Sequence, residues 1–323
     1  MKTLEKILAD DRIRENASIY IPAAFAWLLA LLAIYGFGNY GFVIFFVIPI
    51  FIGFASTLIL SFRTHPSKKE CYKHAYLSLL VFSIGLVLFA IEGFICIIMA
   101  APLGILFTWA GSVLAYGTHN KIEGRTPTVL GIAFLTAPVM LFIEHSANEN
   151  FDLIPVSTTV EINAPPEMVW KNVVEFPALN EPTEFLFKAG IAYPVSAEIQ
   201  GKGVGAVRSC NFSTGSFIEP ITVWDEPRLL KFDVLDCPAP MKELSFWDVD
   251  APHLHDYFVS KQGQFKLTEL PNGKTLLEGT TWYYHRIRPV AYWKLWSDYI
   301  IHRIHTRVLN HIKANAESVA SSE

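Results

Sequence analysis

Between Asn16 and Phe62 the chain contains no Asp, Glu, Lys or Arg. A run of that length has no charged face to turn toward water, so it has to be dissolved in something apolar. Two more stretches behave the same way. From His74 to His119 the one charged residue is Glu92, and Thr126–Ile143 has none. The residues after about 145 return to ordinary charge density. The chain therefore divides into a membrane region and a soluble domain, and the overall 52% hydrophobic and 17% charged content is an average over two unlike halves.

Apolar limits divide the first half into a polar segment, 1–17, and five helical spans at 18–35, 42–62, 75–91, 95–116 and 128–143. Gly36–Gly41 makes the first turn. The 75–116 stretch is about 63 Å long as helix, twice what one crossing needs, and it breaks best at Glu92-Gly93. An acid inside a bilayer costs roughly 2.5–3.5 kcal/mol and is by default a functional candidate; at a hairpin tip it reaches water instead. Both readings of Glu92 stay open, as does the i, i+4 spacing to Cys96. All ten Lys/Arg of the first 144 residues fall before residue 17, in 63–73 or in 121–125. That asymmetry predicts an integral protein of the inner (cytoplasmic) membrane, with its N-terminus inside and, after five spans, its soluble domain outside. If the sixteen-residue fifth segment, interrupted by Pro138, does not cross, the domain is cytoplasmic.

The soluble half alternates as strands at 155–163, 191–200, 204–212, 217–225, 229–235, 257–270 and 275–285. Short helical segments follow Ala164-Pro165-Pro166-Glu167 and Glu181, and a Pro271-Asn272-Gly273-Lys274 turn joins the last two strands. From Val290 the residues Trp293, Ile300, Ile301, Ile304, Val308 and Ile312 recur at helical spacing, giving a long amphipathic helix whose one greasy face needs a partner. With 16 Lys/Arg against 22 Asp/Glu, this half gives no electrostatic reason to expect nucleic acid. Its cysteines, Cys210 and Cys237, like Cys71 and Cys96, have no zinc or redox spacing, so neither a metal nor any other cofactor is signalled.

The element order, with Glu161-Ile162-Asn163-Ala164-Pro165-Pro166-Glu167-Met168-Val169-Trp170 at its opening, resembles the helix-grip (START-like, SRPBCC) superfamily. The segments Gly203-Val204-Gly205-Ala206-Val207-Arg208, Cys210-Asn211-Phe212-Ser213-Thr214-Gly215, Trp224-Asp225-Glu226-Pro227 and Tyr292-Trp293 through Trp296 to His305 look like its bacterial membrane-anchored, polyketide cyclase/dehydrase-like members. The resemblance covers 156–314, leaving 315–323 as a polar tail. It implies a multi-pass α-helical membrane region followed by an α+β domain, with a seven-stranded antiparallel sheet wrapped round the C-terminal helix and an apolar ligand cavity between them. No polyketide-cyclase catalytic pattern transfers residue by residue, and fold alone names no reaction.

Candidate site residues follow from that frame. If Thr214-Gly215 is a two-residue turn, Cys210 faces Glu219, and Arg208 lies diagonal to Glu219 on the same face. The three line the cavity with a polar anchor, or Arg208 and Glu219 form a structural ion pair. Trp282, Tyr284, Trp293, Ile300 and Ile304 are candidates for its apolar wall, or ordinary core. The 237–256 loop, with Trp247, His253 and His255, is a candidate gate over the cavity mouth. On the C-terminal helix Asp298, His302 and His305 form either a solvated edge or a metal-capable stripe. Three functions fit: a membrane-tethered domain binding a lipid, isoprenoid or quinone, for transfer or sensing; a cyclase or dehydratase acting on an apolar substrate; or a protein-interaction module.

Overall fold

The computed structural model describes residues 10–122, 126–146 and 151–320. They form two units. One comprises Met1–Glu149 with Glu243–Pro252 and Ile287–Pro289; the other comprises Asn150–Lys242, His253–Arg286 and Val290–Glu323.

The first unit is helical: α1 (Asp11–Leu31), α2 (Ile48–Leu60), α3 (Lys68–Leu88), α4 (Phe94–Ile122) and α5 (Thr126–His145). With the π-helical turn Val43–Val47 that leads directly into α2, all five are long and apolar enough to cross a membrane by length and composition. The Asp10 carboxylate caps α1 by accepting from the Ile13 N–H at 3.0 Å. The polar residues 11–17, expected as a separate segment, are instead the first turns of this helix. Polar side chains do not by themselves end a helix. Ser67 and Glu70 form a reciprocal capping box at the start of α3.

Small residues let the helices approach closely. A Cβ on Gly53 of α2 would stand 1.9 Å from the Thr108 carbonyl oxygen of α4, and one on Gly111 would stand 2.1 Å from that of Ile50. The Thr57 and Ser112 hydroxyls meet at 2.6 Å between them. Phe25, Phe51 and Phe134 bind α1, α2 and α5 through ring contacts of 4.5–4.9 Å.

The fifth helix runs the length of the bundle. Leu130 packs against Ile59 and Phe62 at one end. At the other, the Glu144 carboxylate accepts from the N–H groups of Phe42 and Val43. Its 20 residues make it about 30 Å long, more than the apolar stretch alone suggested, because Thr126-Pro127 and Glu144-His145 extend it. The segments 243–252 and 287–289 lie at that second end. The Phe94 N–H donates to the Leu244 carbonyl at 2.9 Å, Phe246 meets the Phe94 ring, and the Arg288 N–H donates to the Tyr40 carbonyl.

The second unit is a seven-stranded antiparallel sheet in the order β1-β7-β6-β5-β4-β3-β2. Its strands are β1 (Ile154–Ile162), β2 (Pro194–Gln200), β3 (Val207–Phe212), β4 (Gly215–Asp225), β5 (Leu229–Asp233), β6 (Phe258–Glu269) and β7 (Thr275–His285). Helices α6 (Pro166–Val174) and α7 (Phe185–Lys188) follow β1, and α8 (Val290–Ala320) closes the chain. The core forms where Val308, Leu309, Ile312 and Ala316 of α8 meet Ile162, Ile221, Leu230 and Leu277 of the sheet and Val169, Trp170 and Val173 of α6. Burying each such aliphatic side chain contributes roughly 1.5–3 kcal/mol.

Candidate functional site

Phe212 pairs with Gly215, so the β3–β4 turn is Ser213-Thr214 and not Thr214-Gly215. The Thr214 hydroxyl donates to the Ala239 carbonyl, and Gly215, at φ 146°, opens β4 in a conformation that favours glycine. The register shifts by two from the expected one. Because two is the side-chain period of a strand, Arg208, Cys210 and Glu219 still share a face, and Arg208 now sits directly opposite Glu219.

That face is the core face. Arg208 is 1% exposed and Glu219 6%. The guanidinium bonds the Glu219 carboxylate, donates from Nε to the Val174 carbonyl at 3.1 Å, and lies 5.6 Å from the ring centres of Phe176, Phe232 and Phe265. Burial raises the Glu219 carboxyl above its usual range against the pull of Arg208. Burial, with Glu219 adding to it, pushes the Cys210 thiol up to about 12, so it is no nucleophile at neutral pH. Arg208 and Glu219 hold each other rather than an open space.

The aromatic run of β7 divides by parity. Tyr283 is fully buried with Val156 and Ile301, and its hydroxyl donates to Asp298 of α8 at 2.9 Å. Thr281, on the same face, meets His305. Trp282 and Tyr284 therefore point to the face away from α8, where Lys231 and Lys261 lie 5.3 and 5.8 Å from their ring centres. Neither lies under the helix, where both the cavity-wall and the core expectations place them. With three aromatics in succession, the strand pattern offered no sign of which parity faces in.

On α8, Trp293 and Ile301 are buried, while Ile300 and Ile304 are half-buried. At 100° per residue the latter two fall on the flank that carries Trp293, beside the fully packed Ile301–Val308 ridge. The stripe Asp298, His302, His305 is committed. Lys294 pairs with Asp298. The Thr158 hydroxyl contacts Nδ1 of His302 at 2.7 Å and of His305 at 3.1 Å, and Thr281 contacts His305 Nε2 at 2.8 Å. Both His305 nitrogens are thus occupied by hydroxyls, which leaves no ring nitrogen for a metal.

Burial, with His302 beside it, lowers His305 to about 4 from its ordinary 6.5. The unfolded chain takes up this proton near pH 6.5 and the folded one only near 4. Stability from this group is therefore complete above 6.5, is lost as pH falls through that window, and is level below it. Relative to His305→Gln, the wild type is expected to lose about 2 kcal/mol between pH 7 and 4.5 in denaturant titrations. Parallel curves for the two proteins would show that His305 is not held neutral.

Of the loop residues, Trp247 is exposed and belongs to the helical unit within 243–252. His253 is buried in the short turn Pro252–Leu254, and His255 is exposed. Cys210, on β3, and Cys237, in the loop after β5, are free thiols.

Glu92 occupies the α3–α4 turn, as its position at a break suggested, yet it is 7% exposed instead of reaching water. The 243–252 segment covers it. Cys96, one turn into α4, donates to the Glu243 carboxylate at 2.7 Å, and Glu243 is 6% exposed. One donor atom from each of Glu92, Cys96 and Glu243 lies within 4.8 Å of the others. Glu243, some 150 residues away in sequence, was the member that spacing had no means of finding.

No family model matches the chain, and no curated protein matches it. Solved structures similar to it include norcoclaurine synthase from Thalictrum flavum, at 12% identity and a TM-score of 0.34, covering 54% of this chain and 99% of that one. Zhui aromatase/cyclase from Streptomyces sp. R1128 matches at 14% identity and 0.34, covering 51% and 94%, and Ara h 8.0201 at 15% and 0.31, covering 52% and 99%. The C-terminal unit has the helix-grip arrangement, a curled seven-stranded sheet with a long C-terminal helix. Likeness at this level assigns no chemistry to the chain.

Proposed function

We propose that this chain is an integral membrane protein whose helix-grip unit binds a hydrophobic small molecule of the lipid, isoprenoid or quinone type. The observation that carries the reading is the half-buried Ile300–Ile304 flank of α8, beside the buried Ile301, Val308 and Ile312. It supplies apolar surface that the core does not fill, as ligand pockets do. The end of the sheet where β1, β2, β4 and β6 begin also exposes Phe185 and Leu235, with Leu295 on the early turns of α8, an apolar rim suited to a ligand arriving from a bilayer. Binding is favoured over catalysis because Arg208, Glu219 and His305 are engaged by structural partners, and Cys210 is held protonated. Titrating the purified full chain with a dansyl-labelled fatty acid tests it. Ile304→Trp should weaken probe binding tenfold or more at an unchanged melting temperature. Equal binding by wild type and variant in the same detergent would remove the site from this flank.

The proposal includes a sidedness. The basic loop 63–73 lies at one end of the bundle, and Tyr40, the Glu92 turn and Glu144 at the other, where 243–252 and 287–289 also sit. With basic loops inside, the second unit is outside the cytoplasm. A periplasm-active reporter fused at residue 150 should be active, and a cytoplasm-active one silent. The reverse pattern would overturn the topology.

A further inference from the structure

We infer that Glu92, Cys96 and Glu243 form a binding site for a borderline divalent cation, of which Zn²⁺ is the type. The donors of one zinc ion lie about 2.0–2.3 Å from it, so any two of them are at most about 4.6 Å apart. The carboxylate oxygens of Glu92 and Glu243 and the Cys96 sulfur, mutually within 4.8 Å, already meet that condition to within a few tenths of an ångström. Oxygen and thiolate together suit zinc better than magnesium or calcium, which take oxygen alone.

The arrangement is built from distant parts of the chain. Glu92 comes from the α3–α4 turn, Cys96 from the first turns of α4, and Glu243 from the 243–252 segment that the Phe94–Leu244 backbone bond and the Phe94–Phe246 ring contact hold in place. Gly93 shows how closely Glu243 is seated. A Cβ there would stand 1.9 Å from its Oε2, so the turn has space for the carboxylate only because the residue is glycine. Three acidic groups this close and this buried repel one another once ionised, and a dication removes that cost. Binding would release the Cys96 thiol proton to solvent. Three protein ligands leave the fourth position of a tetrahedral ion open for water.

The test is direct on the full-length protein in detergent. After chelator treatment and desalting, Zn²⁺ is titrated in and bound metal is measured by elemental analysis; about one ion per chain is expected. Cys96→Ser with Glu243→Gln should reduce this at least fivefold. Should that variant fold poorly, Co²⁺ loading of the wild type gives an independent readout: a thiolate-to-cobalt band, and protection of Cys96 from alkylation mapped by peptide mass. A folded wild type that takes up no stoichiometric Zn²⁺, or a double variant that binds it equally, overturns the site.

Discussion

Arg208→Ala is expected to destabilise the sheet unit by about 3–5 kcal/mol, because it strands the Glu219 carboxylate in a site 6% exposed. The loss combines three parts: the ion pair, the Nε–H donation to Val174, and the packing of the guanidinium among Phe176, Phe232 and Phe265. Replacing both partners, Arg208→Met with Glu219→Leu, should recover most of it, since apolar residues of similar volume need no charge compensation there. Chemical denaturation followed by the tryptophans of this unit reads both. A cost below about 1 kcal/mol for Arg208→Ala would mean that the pair is open to solvent or ligand and serves as an anchor instead.

Gly111→Leu should be at least as damaging to the helical unit. Its Cβ would lie 2.1 Å from the Ile50 carbonyl oxygen and within 3.0 Å of the Ile50 Cα, backbone atoms that no rotamer change can move. α2 and α4 would have to separate, breaking the neighbouring Thr57–Ser112 bond and the matching contact of Gly53. Overpacking of flexible surroundings costs about 1–3 kcal/mol, and rigid backbone on the facing side places this case above that range. Gly117→Leu is the control, because nothing lies within 4 Å of a Cβ there. Detergent melts should show a large fall for the first and almost none for the second. Equal melts would mean that α2 and α4 are not in contact as described.

Much of this architecture is legible in the chain because its signals are local. Charge-free runs mark the five helices, period-two alternation and the Pro271–Lys274 turn mark the strands, and the stripe from Trp293 to Ile312 marks α8. Parity also survives an error in the turn. Misplacing the β3–β4 turn by one residue moves the register by two, so Arg208, Cys210 and Glu219 remain on one face while their partners change. What sequence pattern did not carry is which face is which and what folds back on what. Trp282-Tyr283-Tyr284 has the same apolar character on both sides, so the inner residue is identified by the packing of Tyr283 with Val156 and Ile301 and its bond to Asp298. The 237–256 loop carries Pro and aromatic residues suited to a gate. Part of it instead joins the helical unit, and burial of Glu92 follows from that distant contact, not from anything near residue 92.

Native mass spectrometry of the full chain, released from detergent and compared with Ile304→Trp, bears most directly on the proposed function. The wild type is expected to carry one apolar adduct of lipid, isoprenoid or quinone mass that survives micelle removal and is extracted by organic solvent, and Ile304→Trp is expected to lose it. A wild type that remains free of adduct after incubation with total membrane lipid would contradict the account.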